Sequence, residues 1–123
     1  MKQLDYKVFP SEARTLYVKE DKDYGGAHHY TIQNSVGFND GKAQYHPSFQ
    51  TIQFVQKDMD SITPGLQSEQ LAQVLMDRCI KLNRKFPSEY NDKMIEGLQI
   101  FLQACEDRIQ DRIDRGVMGE LKK

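Results

Sequence analysis

KLNRKFPSEYN, Lys81 to Asn91, decides how the second half of this chain folds. Proline cannot continue a helix, and it pushes the residue before it out of helical backbone. Lys85-Phe86-Pro87 therefore breaks any helix that enters from the left, and Ser88 is placed to cap a new one. Apolar residues recur at helical spacing on both sides of the break, so two antiparallel helices joined by a tight turn are expected.

To the left, Leu71, Val74, Leu75, Cys79 and Leu82 form one apolar stripe, on a helix capped by Ser68 and running to about Arg84. To the right, Ile95, Leu98, Leu102, Cys105, Ile109 and Ile113 form a seam on a helix from Glu89 to Arg115, stopped by Gly116. That helix is ~40 Å long. Met94 and Phe101 widen its apolar face beyond what one partner helix covers. Association with further copies is the simple way to bury the excess.

Upstream the period changes. Leu4, Tyr6 and Val8 alternate, as do Leu16 and Val18, Tyr30 and Ile32, and Ile52 and Phe54. Alternation with a period of two marks half-exposed antiparallel strands. Phe9-Pro10-Ser11, Asp23-Tyr24-Gly25-Gly26, Asn39-Asp40-Gly41 and His46-Pro47-Ser48 supply turns between them. Residues 58–67 read as a connector that turns at Thr63-Pro64-Gly65. The expected fold is α+β in a single domain, 1–123: an antiparallel sheet of about four strands in 1–60, then a long antiparallel helical hairpin in 66–118.

The totals narrow the function. The chain has 123 residues, with 17 basic against 18 acidic. A general binder of nucleic-acid polymers would be basic overall or in one block. No apolar run is long enough for a membrane span, and the first residues lack the apolar core of a secretion signal, so a cytosolic protein is expected. Cys79 and Cys105 fit that compartment as free, buried thiols. On the expected hairpin they sit ~16 Å out of step along the helices, too far for a disulfide.

Three groups of residues carry possible chemistry. Arg108, Arg112 and Arg115 share one face of the last helix, beside a parallel row of Asp107, Asp111 and Asp114. One reading is a solvated face of weak ion pairs, with Asp111 serving Arg108 or Arg115. The other is a phosphate clamp, because two guanidinium forks one turn apart match a pyrophosphate. At the turn, Phe86 either plugs the end of the hairpin or offers a ring for a nucleobase, with Asn91 either finishing the cap or reading adenine's edge. Finally, GGAHHYTIQ, residues 25–33, places two glycines beside His28 and His29. Adjacent residues on a strand face opposite ways, so these histidines do not chelate one metal, and no zinc spacing is present. His29-Tyr30-Thr31-Ile32 and His46-Pro47-Ser48-Phe49 both fit the H-x-[ST]-hydrophobic pattern of two-histidine phosphoesterases, one His as acid and one as base. A cyclic-nucleotide phosphodiesterase using His29 and His46 is therefore the alternative function.

FPSEYNDKMIEGLQIFLQACEDRIQDRIDRGVMG, residues 86–119, resembles the helical-hairpin signature of phage nucleotide sponges: F-P-S-x-x-N, an amphipathic helix, then R-x-x-x-R-x-x-R-G-V-x-G. The sheet half and the length look like the branch that disarms Thoeris defence, which shares its hairpin with sponges that disarm cyclic-oligonucleotide (CBASS) defence. The resemblance implies a non-catalytic protein that sequesters an intact signal, a glycocyclic isomer of ADP-ribose made by a TIR-domain protein, with cyclic trinucleotides of the cyclic tri-AMP type as further ligands in some members. It implies a homo-oligomer, dimer or hexamer, with the pocket between protomers, acting in the cytoplasm of an infected or lysogenic bacterial host. No metal and no cofactor is implied. Carried onto this chain, Phe86 stacks on the base, Asn91 contacts the ligand, and Arg108 and Arg112 hold the phosphates. Gly26, His28, Gly116 and Met118 are further ligand-contact candidates. Met118 stands where relatives often carry an acid, which bears on the choice of ligand.

Overall fold

The computed structural model describes residues 2–4, 6, 16–20 and 27–116. The chain divides into two compact units, Met1–Leu66 and Gln67–Lys123. The first is a sheet and the second a helical hairpin, so the α+β class expected from the sequence is found.

The first unit is an antiparallel meander in the order β1 (Lys2–Gln3), β2 (Leu16–Lys19), β3 (His29–Asn39), β4 (Lys42–Gln53). Asp40 and Gly41 join β3 to β4 with φ of 52° and 74°, the left-handed pair that a two-residue hairpin turn requires. Val18, Tyr30 and Ile52 lie side by side across three strands. Val18 is only 3% exposed, and Tyr30 meets Phe54 edge to face at 5.7 Å. β1 is shorter than the Leu4-Tyr6-Val8 alternation suggested, and Val8, Phe9-Pro10-Ser11 and Asp23-Tyr24-Gly25-Gly26 lie outside the described residues.

Two expectations are corrected here. His46-Pro47-Ser48 is not a turn between strands but lies inside β4. Pairing jumps from Gln33 with Phe49 to Ser35 with Tyr45, so β4 carries extra residues at a bulge. A bulge is where a strand tolerates proline, since no ladder hydrogen bond is asked of it. The connector also holds structure: β5 (Gln56–Lys57) pairs with β6 (Ile62–Thr63) in a small separate ladder. Gly65 then runs hard against the main sheet. A Cβ there would meet the Gln53 carbonyl oxygen and come within 2.7 Å of the Phe54 carbonyl carbon.

The second unit is α1 (Ser68–Lys85) and α2 (Glu89–Asp114). Ser68 is the first residue of α1 rather than its cap. The cap is Gln67, whose amide donates to Gln70 Oε1 at 2.9 Å. Ser88 does cap α2, its Oγ accepting from the Asn91 amide at 3.1 Å. Gly116, at φ 69°, follows the end of α2 as expected.

The inward faces follow heptad spacing. On α2 the half-buried or buried positions run Asn91, Ile95, Leu98, Leu102, Cys105, Ile109, Arg112, in alternating steps of four and three. On α1 they run Ala72, Met76, Cys79 and Asn83, with Ile80 beside them. This corrects the α1 stripe: Leu71 and Cys79 are half-buried, whereas Val74, Leu75 and Leu82 are exposed. Ala72 is the most buried residue of α1, at 5% exposure, so the seam runs through it. On α2 the expected seam holds except for Ile113, which is exposed beyond the reach of the shorter α1. Both thiols are free, Cys105 buried and Cys79 half-buried.

Candidate functional site

The turn between the helices is built by three side chains. Asn83 Oδ1 accepts from the Ser88 amide at 3.1 Å, and its Nδ2 donates to Asp92 Oδ1 at 2.9 Å. Asn91 Nδ2 donates to the Phe86 carbonyl at 3.0 Å. Together with the Ser88 cap, these bonds satisfy main-chain groups that the break leaves without helical partners. The Phe86 ring does not plug the hairpin. It is 65% exposed, with Lys85 Nζ 5.7 Å from its centroid. Asn91 thus holds the residue whose ring is on offer, and it does so through the main chain.

At the other end of α2, Arg115 bonds Asp111 through Nε and Oδ2 at 3.0 Å, so this arginine belongs to a surface ion pair. The remaining acids of the row are taken by amides: Gln103 donates to Asp107 at 3.0 Å and Gln110 to Asp114 at 2.9 Å. Arg108 is left out of these pairs and has no ion-pair or hydrogen-bond partner among the described residues. It lines an open cleft of about 280 Å³ with Ser68, Phe101, Ala104 and Cys105. Arg112 follows one turn later on the half-buried side of the helix.

The sequence-derived site therefore falls into two pairs. Phe86 and Asn91 stand at the tip of the hairpin. Arg108 and Arg112 stand near the far end of α2. From Glu89 to Arg108 the unbroken helix rises ~28 Å, so one small ligand does not touch both pairs within one chain. Among the secondary candidates, Gly116 ends α2, with its amide donating to the Ile113 carbonyl at 3.0 Å. His28 is half-buried just before β3, its carbonyl accepting from the Phe54 amide at 2.7 Å. Gly26 and Met118 lie outside the described residues. Phe101, Ala104 and Ser68 are cleft residues that the motif reading passed over. The signal for the first two was the i, i+3, i+7 spacing of Phe101, Ala104 and Arg108; Ser68 comes from the other helix, and no local spacing marks it.

His29 and His46 are also apart. His29 pairs with Gln53, while His46 follows Tyr45, which pairs with Ser35; five to six rises along β3 set the two histidines ~18 Å apart. His46 Nδ1 accepts from the Ser48 amide at 3.0 Å inside the bulge, and His29 Nε2 is buried without a hydrogen-bond partner. No group of three or more histidine, cysteine or acidic side chains able to hold a metal occurs among the described residues. None of their helices is long and apolar enough to cross a membrane. No protein-family model matches the chain, and no curated protein matches it.

Proposed function

We propose that this protein is a non-enzymatic nucleotide sponge: it binds a small cyclic nucleotide signal of the glycocyclic ADP-ribose type and withholds it intact from a Thoeris receptor, with cyclic trinucleotides of CBASS as a further ligand class. The observation that carries this reading is an arginine, without a partner among the described residues, in a cleft on a helix whose other end presents an exposed aromatic ring. An unpaired guanidinium is free to take a phosphate bidentately, and an exposed ring takes a base. Neither feature is needed by the hairpin itself.

The ~28 Å between the two features calls for more than one copy. Laid antiparallel, two α2 helices bring Phe86 and Asn91 of one copy beside Arg108 and Arg112 of the other, twice over. The twofold axis then passes α2 midway between Phe86 and Arg108, near Gly97. There the exposed line Tyr90, Met94, Gly97 offers apolar surface with a small residue beside large ones. A Cβ on Gly97 would meet nothing within 4 Å in its own chain. Glycine costs a helix about 1 kcal/mol relative to alanine, and close approach of a second copy is a reason for it. The protein acts in this reading as a homo-oligomer in the bacterial cytoplasm, with no cofactor.

The deciding experiment mixes the protein with the glycocyclic nucleotide, removes free ligand, heat-denatures the complex and assays the supernatant. Recovery of intact ligand is expected. Recovery of cleaved product alone would overturn the sponge and favour an enzyme.

A further inference from the structure

We propose that the cleft between Phe101 and Arg108 is a half-site for one phosphorylated nucleoside unit, with Arg108 on the phosphate and Phe101 against the base or sugar. The inference rests on the nucleotide-binding reading above and assigns a ligand role to Phe101, Ala104 and Ser68. Phe101 and Arg108 are two turns apart on α2, ~10 Å along the axis, and Ala104 lies between them. Because Ala104 carries only a methyl group, the line dips there into a notch, with the ring as one wall and the guanidinium as the other. Cys105, on the buried side of α2, and Ser68, the first residue of α1, complete the lining of the notch. Arg108 is without a partner among the described residues and Phe101 is 44% exposed, so both are available to a ligand.

Size decides how much of a ligand the notch takes. At about 280 Å³ it falls at or below the lower end of pockets that enclose a drug-sized molecule. It has room for one nucleoside phosphate, not for both halves of a dinucleotide. The notch therefore reads one phosphorylated half, and the rest of the signal must meet other groups, such as Phe86 of a second copy. A mononucleotide is accordingly a ligand in its own right, weaker than the full signal and competing with it.

The test is Ala104→Met, which fills the notch and leaves every polar group in place. Ala104 is exposed on the helix and methionine is a good helix former, so the fold is kept. Titrations with AMP, ADP-ribose and the glycocyclic isomer are read beside light-scattering mass. Binding of AMP by the wild-type protein and at least tenfold weaker binding of all three by A104M, at unchanged mass, is the expected result. Phe101→Leu should weaken AMP more than Phe86→Ala does. Wild-type affinity in A104M overturns the half-site while leaving the sponge standing. A change of mass in A104M makes the notch a contact between copies and also overturns it. AMP binding that A104M abolishes, together with cleavage of the full signal, overturns the sponge and keeps the half-site. Failure of the wild-type protein to bind any of the three overturns both.

Discussion

The Asn91 side-chain amide donates to the Phe86 carbonyl at 3.0 Å, tying the first turn of α2 to the residue that ends α1. The bond sets where the Phe86 ring stands without occupying the ring. Asn91→Ala should therefore lower unfolding stability by about 1 kcal/mol and weaken ligand binding in the same variant. Urea unfolding and nucleotide titration measure the two effects. Unaltered stability would mean that the bond does not hold the turn.

Arg108→Ala should separate the two effects that Asn91 combines. The side chain has no partner among the described residues, so its removal should change stability by no more than about 0.5 kcal/mol. Binding of a phosphorylated ligand should fall at least tenfold. A melting curve without ligand that drops by several degrees would show a structural role instead.

Arg115→Ala is the matched control. Arg115 spends its charge on Asp111 at the surface, and such exposed pairs contribute about 0.3–0.5 kcal/mol. Binding should match that of the unaltered protein, and a loss comparable to that of Arg108→Ala would extend the clamp to the third arginine.

Mixing tests whether Phe86 and Arg108 serve one pocket from two copies. Phe86→Ala and Arg108→Ala proteins should each bind poorly alone. After exchange of subunits, half of the dimers are mixed and one of their two sites is intact, so roughly a quarter of full capacity should return. No recovery after verified exchange would place the two residues in separate sites.

Gly65→Ala tests the sheet unit independently of any ligand. Its new methyl group would collide with the main chain at Gln53 and Phe54, which cannot move aside as a side chain could. A loss of about 2 kcal/mol or more is expected. A variant as stable as the parent would mean that Gly65 does not pack against the main chain of Gln53 and Phe54.

The sequence by itself determined the features that act within a few residues of backbone. Pro87 and Ser88 end one helix and start the next, Gly116 stops the second, and Asp40-Gly41 turns β3 into β4, because each works through its own φ or through main-chain groups one turn away. It also already held the distance from Phe86 to Arg108, since an unbroken helix converts residue count directly into length. Only the tertiary structure decided which of two apolar lines on α1 turns inward. Leu75 and Leu82 fit the helical period as well as Met76 and Cys79 do, yet packing of α1 on α2 leaves them exposed and turns the line through Ala72 inward. Likewise, Pro47 sits in a strand because the pairing of β4 with a distant β3 slips into a bulge there, which no local preference records. The cleft at Arg108 belongs to the same class: its lining comes from two helices, Ser68 of α1 and Phe101 to Arg108 of α2.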